Sequence, residues 1–418
     1  MIEGSKNFRK TNKLFLPWRH LACARRYNAR VNFEVIVVGA GLVGASFARA
    51  ARGLSTALVA ATERSAAAPE GPGGFDVRVY ALSPGNVEFL RGLKVWQGIA
   101  PGRATPVHAM RVFGDDGSSL LEFDAYRCGV EALAWIVEDG LLQDALWRSL
   151  QARDGLELIA PADCEQLELT SDRATVRLSD GRSLHAKLLV GADGARSFVR
   201  EGAGLGATER AYGQTAVVAN FACERPHANV AHQWFQGGPV LALLPLPGSH
   251  VSMVWSVADA EAARLLALDA EALCREVEQA SRGILGELTL VTAARGFALR
   301  RLAAGRAVAP RVALIGDAAH VVHPLAGQGA NLGFQDARVL AEVLAAREPV
   351  RDPGDFGLLR RYERARAEAV FAMDATVDGL FRLFAAEGRA VSLLRNAGLN
   401  LADRVPVLKN ILMRQAMG

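Results

Sequence analysis

The stretch Glu34-Val-Ile-Val-Val-Gly39-Ala-Gly41-Leu-Val-Gly44 decides how the rest of the chain is read. Its first five residues form a short buried-strand run. Three glycines at G-x-G-x-x-G spacing follow, and an Ala-rich helical stretch continues to Arg52. Strand, tight turn and helix in that order open a dinucleotide-binding unit. Gly39 permits the turn, Gly41 lets the backbone approach a pyrophosphate, and Gly44 lets helix and strand pack closely. The helix N-terminus then offers N–H groups and a positive dipole end to the phosphates. Thr56 to Ala61 reads as the second parallel strand. An acidic residue that holds the adenosine ribose is expected about 20 residues beyond the motif. Ala60 stands there instead, and Glu63 is the candidate replacement.

Working outward, 418 residues allow about two or three domains. The chain is 50% hydrophobic and 22% charged, the balance of a globular protein. No stretch offers the ~20 uninterrupted apolar residues of a membrane-spanning helix; the richest, Pro239 to Trp255, is cut by Pro245, Pro247 and Gly248. Five cysteines lie far apart without a C-x-x-C pair, against a disulfide scaffold or a zinc site. The formal charge of +4 misleads, because residues 1–32 carry eight Lys or Arg against Glu3, leaving the remainder at −3. A nucleic-acid partner is therefore not expected. The basic extension reads either as a targeting segment or as upstream sequence foreign to the native protein, and is set aside as disordered or not native.

Pro69 to Gly74 reads as a loop. Residues 107–124 look like strands of a different region, and Ala134 to Arg153 is expected to be one helix with Ile136, Leu142, Leu146 and Leu150 on its apolar side. Three strand-like runs are expected between Leu156 and Val190, with Ser179-Asp-Gly-Arg182 as a hairpin turn. Residues 209–295 alternate like strands around one helix near 259–281. A strand over 311–315 returns to the first domain and leads into a helix at about 331–347; residues 355–418 look helical.

Two further motifs carry chemistry. Val190-Gly-Ala-Asp193-Gly194-Ala-Arg-Ser197, with Arg200 close behind, is one. Leu314-Ile-Gly316-Asp317-Ala-Ala-His320 is the other, continuing through Val-Val-His323-Pro324-Leu-Ala-Gly327-Gln328-Gly329-Ala-Asn331. Here Asp317 sits at a strand end, where a carboxylate can accept from a ribityl hydroxyl. A helix opening near Gly327-Gln328-Gly329 suits the N1/O2 edge of an isoalloxazine, which carries negative charge when reduced. Glycines let backbone lie against the ring, and Pro324 stiffens the wall. His320 reads as a packed, hydrogen-bonded histidine or a flavin neighbour; His323 precedes a proline expected to face substrate. No histidine clustering suggests a metal, and no G-x-S-x-G elbow is present.

The three motifs, in this order, resemble flavoprotein monooxygenases of the p-hydroxybenzoate-hydroxylase type. His323 to Asp336, Asp76-Val-Arg78-Val-Tyr-Ala-Leu-Ser83, Gly238 to Pro245 with Val254-Trp-Ser256, and Arg395 to Lys409 resemble the ubiquinone-biosynthesis branch of that family. The similarity spans about residues 33–418. It implies an α/β fold: a Rossmann-like FAD-binding domain with an inserted mixed β-sheet substrate domain and a C-terminal helical region. The FAD-binding domain is expected over 33–106, 125–208 and 296–347, the substrate domain over 107–124 and 209–295, and helices over 348–418.

The resemblance implies FAD as cofactor, NADPH or NADH as reductant, and ring hydroxylation of a polyprenylated phenol or quinone precursor by O2 through a C4a-hydroperoxyflavin. Expected FAD contacts are Gly39, Gly41, Gly44, Glu63, Arg78, Asp193, Gly194, Gly316, Asp317 and Asn331; Arg78 has a salt bridge within the fold as its alternative. His323, Pro324, Gly327, Gln328 and Gly329 are expected at the reaction centre. No second G-x-G-x-x-G follows a strand, so no separate NAD(P)H domain is expected. An accessory flavoprotein of a quinone-making complex and a prenyl reductase stay open as alternatives. The enzyme is expected in the cytoplasm or peripherally on the inner membrane. Val377, Leu380, Phe381 and Phe384 form an apolar stripe that suits core packing or interfacial docking.

Overall fold

The computed structural model describes residues 31–63, 74–116, 119–322 and 328–385. Strand β1 (Val31–Val38) passes through the glycine turn into helix α1 (Leu42–Ala50), and β2 (Thr56–Val59) returns parallel to it. Next come β3 (Val79–Leu82), α2 (Pro84–Gly92), β4 (Thr105–Val107), β5 (Ala109–Phe113) and β6 (Leu120–Asp124). Strand β7 (Ala134–Glu138) runs into α3 (Asp139–Gln151), followed by β8 (Leu156–Ile159), β9 (Cys164–Leu169), β10 (Ala174–Leu178), β11 (Ser183–Gly191) and the short α4 (Phe198–Gly202). The inserted region holds β12 (Ala207–Cys223), β13 (Val230–Phe235), β14 (Val240–Leu246), β15 (His250–Ala258), α5 (Asp259–Leu266), α6 (Ala270–Ala280), β16 (Leu288–Leu290) and β17 (Arg295–Ala304). The chain closes with β18 (Val308–Ala309), β19 (Val312–Leu314), a 3-10 turn at Gly316–Ala318, β20 (His320–Val321), α7 (Gln328–Ala345) and α8 (Phe356–Ala385).

The described strands form three sheets. The first runs β18-β19-β11-β1-β2-β8, with the antiparallel pair β9–β10 attached through β11. Its central strands are parallel and read as continuous apolar runs because both faces are covered. Phe47, Leu142, Leu146, Phe334 and Tyr362 bring α1, α3, α7 and α8 onto one face; Val176, Leu178 and Leu184 fill the other. Each such side chain contributes about 1.5–3 kcal/mol on burial. The second sheet runs β20-β17-β12-β15-β14-β13-β5-β6, mostly antiparallel, with β5 and β13 parallel. Helices α5 and α6 cover one face of it through Leu265, Leu273 and Val277, packed with Phe221, Trp234 and Trp255. A small sheet, β3-β7-β4, lies between the two.

Several expected boundaries move. Ala134 to Glu138 is strand rather than helix: Trp135, Ile136 and Val137 pair with β3 and β4, and the helix starts only at Asp139. Aromatic and β-branched side chains fit a pleated surface sandwiched between neighbours. Four strands, not three, occupy 156–191, and the Ser179–Arg182 turn joins β10 to β11 with Gly181 at φ 85°. The helix near 259–281 is two helices, interrupted because Asp269 accepts from the Ala272 N–H and starts a new N-cap. Residues 296–304, assigned to the FAD-binding part, extend β17 and pair along β12. Val31 and Asn32, assigned to the basic extension, pair with Leu184 and His185. Most of the Pro69–Gly74 loop, the Arg395–Lys409 segment and residues 1–30 lie outside the described residues. No disulfide joins Cys128, Cys164, Cys223 and Cys274.

Candidate active site

Sheet order explains why three motifs far apart in sequence meet. Val38 is in register with Val59 on one side and Gly191 on the other, and Gly191 with Leu314. The motifs therefore leave the carboxyl ends of three adjacent parallel strands, where open α/β sheets bind ligands. Backbone bonds carry the register into the loops: Gly39 N–H donates to the Val59 carbonyl, Ala192 N–H to Val38, and Ile315 N–H to Gly191, all at 2.8–2.9 Å.

The glycines divide their work as the spacing predicts. Gly39 adopts φ +102°, and a Cβ on it would strike the Ala192 backbone. A Cβ on Gly44 would strike the Gly39 carbonyl oxygen and Ala192 Cβ. Gly41, the N-cap of α1, borders open space: a Cβ added to it would meet nothing within 4 Å. The Trp147 indole N–H donates to the Ala40 carbonyl at 3.1 Å and holds the loop from α3.

The second motif braces its own loop and lends Ala192, Gly194 and Ala195 to the cavity wall. Asp193 spends both carboxylate oxygens in its own loop, accepting from Ser197 Oγ at 2.6 Å and Val199 N–H at 3.1 Å. Burial pushes its carboxyl up, against the pull of those bonds. Those bonds shape the loop that presents Gly194 to the cavity. Buried Arg200 donates to the Ala195 and Ala318 carbonyls, tying the second motif to the third.

In the third motif Gly316 takes φ +60°, close against Val43 of α1. Its N–H donates to Asp336 Oδ2 at 2.9 Å. The same carboxylate, fully buried, accepts from His320 Nε2 at 2.7 Å and from Arg366 Nε at 2.7 Å. Burial alone would lower the His320 pKa, but Asp336 outweighs it and raises the ring above its ordinary value. His320 is thus a packed, ion-paired residue. Asp317, beside it, projects into the cavity, open to the lumen yet surrounded by protein. That desolvation raises its pKa, with His320 and Arg78 pulling the other way. Asn331 lies at the cavity wall with its side chain braced within the fold. It accepts from the Ser83 N–H and Asn86 Nδ2 and donates to the Ala81 carbonyl, clamping α7 to the β3–α2 junction.

These loops and the uncovered face of the second sheet enclose a cavity of about 750 Å³. That lies within the range of about 300–1,000 Å³ usual for ligand sites. Gly41, Gly194, Asp317 and Gly329 line one side; Ala216, Ala242, Val254 and Leu299 line the other. Arg78 also lines it, its guanidinium 5.2 Å from the Tyr80 ring centroid and 5.8 Å from that of Phe297. It forms no ion pair among the described residues. Ala60 is buried at the end of β2 and Glu63 is exposed. His323, Pro324 and Gly327 lie outside the described residues, as does the Gln328 side chain at the start of α7.

A glycine cradle open where a phosphate would lie, a helix N-terminus behind it and a desolvated carboxylate at the next strand end fit FAD. Sequence reasoning missed Arg366, Asn86 and Trp147, which hold the loops from a distance. A single chain offers no local signal for them, because their partners are 30 or more residues away.

Comparison with known proteins agrees. Residues 32–376 match the family described as FAD binding domain. Ubiquinone hydroxylase UbiL of Rhodospirillum rubrum is 37% identical over 92% of this chain and 89% of its own. The 3-demethoxyubiquinol 3-hydroxylase of Escherichia coli is 32% identical over 92% of this chain and 98% of its own. Among solved structures, p-nitrophenol 4-monooxygenase PnpA from Pseudomonas putida shares the fold at a TM-score of 0.74, with 19% identity, 93% of this chain and 99% of that one. The chain belongs to the FAD-binding family of flavoprotein monooxygenases.

Proposed function

We propose that this monooxygenase hydroxylates the ring of a polyprenylated phenol or quinone precursor in ubiquinone biosynthesis. One oxygen atom of O2 enters the product, the other leaves as water, and NAD(P)H supplies the two electrons. The observation that carries this reading is the continuous cavity joining the glycine-motif wall to an apolar sheet face. The names of the two hydroxylase relatives support the same substrate class.

Bound FAD supplies the oxygen-activating redox chemistry. The chain's residues bind and shield. The Gly39–Gly44 turn and the α1 N-terminus take the pyrophosphate, Asp317 accepts from a ribityl hydroxyl, and Gly316 shapes the approach. Arg78 and Gly194 border the cofactor side. Gly329 and its neighbours at the start of α7 bring N–H groups to the edge of the flavin that becomes negative on reduction. His323, Pro324, Gly327 and Gln328 are assigned to the ring-facing wall by sequence alone. Val218, Val254 and Leu299 exclude water from the reacting ring. A lipophilic substrate requires approach to a bilayer, and no described helix is long and apolar enough to cross one. A peripheral position, alone or within a quinone-biosynthesis complex, meets that requirement.

The test is turnover under 18O2 with a prenylated phenol. The new hydroxyl oxygen is expected to carry the label, with NAD(P)H oxidation faster than without the phenol. Label drawn from water, or no phenol-dependent oxidation, overturns the reading. Asp317→Ala is expected to lose about tenfold to a hundredfold in FAD affinity, the size of a hydrogen bond to a charged group.

A further inference from the structure

The sheet wall of the cavity is built by alternation. On β13, His232 and Trp234 turn away and stack with Phe113 at ring separations of 6.4 and 5.3 Å, while Ala231 and Gln233 face the cavity. On β14 the cavity receives Val240, Ala242 and Leu244; on β15 it receives Val254 and Ser256, with Trp255 in the opposite core. Among the described side chains that this sheet contributes, three are polar: Gln233, Ser256 and Arg300. Arg300 is 44% exposed, at the solvent edge of this wall. Gln233 and Ser256 are each 5% exposed, set into an otherwise apolar floor.

We infer that Gln233 and Ser256 hold the ring oxygens of the substrate, with the ring lying over Val240 and Ala242 between them. This inference rests on the hydroxylase reading above. Register fixes the geometry: Gln233 pairs with Ala242 on one side of β14, and Ser256 pairs with Val240 on the other. Two strand spacings across and two residues along put their Cα atoms roughly 12 Å apart. Both side chains reach inward from there, a separation that suits oxygens on opposite edges of one aromatic ring. A carboxamide serves as donor or acceptor, and a hydroxyl does the same, so phenolic and quinone oxygens are both received. Neither group carries charge. The pair therefore suits neutral oxygenated rings. A substrate oxygen that leaves water for this apolar floor needs a polar partner there, and these two side chains supply one at each edge of the ring.

The test uses FAD-loaded enzyme and two probes, 2-geranylphenol and geranylbenzene, with binding read from perturbation of the flavin absorbance. Gln233→Leu and Ser256→Ala are each expected to weaken 2-geranylphenol about three- to tenfold. Geranylbenzene affinity and FAD content stay at wild-type levels, and Ser256→Thr, which keeps the hydroxyl, retains wild-type phenol binding. The fraction of NAD(P)H oxidation that yields hydroxylated product is expected to fall in the two weakened variants. Equal losses for both probes, loss of flavin, or no loss at all would overturn the assignment. A wild type that hydroxylates 2-geranylphenol while the variants behave normally overturns this inference alone. A wild type that neither binds nor oxidises it overturns the proposed function and the inference with it.

Discussion

Asp336 is where a single substitution should strike the fold and the cofactor loop together. Its carboxylate is 0% exposed and accepts three bonds: Gly316 N–H at 2.9 Å, His320 Nε2 at 2.7 Å and Arg366 Nε at 2.7 Å. Burial raises its pKa, but His320 and then Arg366 outweigh that and hold it below the usual carboxylate range. Asp336→Ala leaves a guanidinium 7% exposed without its counter-charge. Removing one partner of a buried ion pair costs about 3–5 kcal/mol, a large share of a typical total of about 5–15 kcal/mol. The Gly316 turn loses its anchor as well, so FAD should weaken together with stability. Urea unfolding followed by tryptophan fluorescence measures the first, and flavin released per protein measures the second. Because Asp336→Ala alone can fail to accumulate, the cycle with Arg366→Met matters. The double variant removes both charges and should be more stable than Asp336→Ala, giving a coupling of about 1–3 kcal/mol. A single variant within about 1 kcal/mol of wild type that keeps its FAD, or additive losses in the cycle, would refute the argument.

Gly41→Val should leave apoprotein unfolding unchanged, because a side chain there points into open space, yet lose at least about tenfold in FAD affinity. Gly44→Val should unfold the apoprotein earlier, because its Cβ collides with the Gly39 carbonyl; equal melting temperatures for the two variants would contradict these roles. At the end of β2, Ala60→Glu should tighten FAD by about tenfold to a hundredfold through a charged hydrogen bond to the ribose, while Glu63→Ala changes little, since Glu63 is exposed. The reverse result in an FAD titration makes Glu63 the ribose ligand. His232 sets a pH dependence: burial first, then Arg111 and His227, push its ring down to about 4. With an unfolded value of about 6.5, the unfolded chain binds the extra proton in that window, so stability is complete above it and falls with pH by about 2 kcal/mol between pH 7 and 5. His232→Phe should flatten that slope, and an unchanged slope in urea titrations would sink the attribution.

Short-range patterns were enough to recognise the cofactor half of this protein. A β-branched run, three glycines at fixed spacing and an Ala-rich stretch specify strand, turn and helix through neighbours in sequence, and the structure reproduces them over Val31–Ala50. Asp317 was legible for the same reason: it follows a strand end and a glycine. Tertiary structure alone decided matters that depend on partners. Trp135-Ile-Val137 has enough apolar character for a helix or a strand, and becomes a strand because β3 and β4 flank it. Asp193 and Asn331 sit in recognisable motifs, yet their hydrogen bonds turn inward to the loops they stabilise. Arg366 lies in an arginine-rich helix among several exposed arginines, and only the packing of α8 on α7 singles it out to meet Asp336. Gln233 and Ser256 share a wall because β14 sets the register between β13 and β15. Local conformation is a property of adjacent residues, whereas the direction a polar group faces is settled by which strand or helix lies against it, and that is fixed only when the whole chain packs.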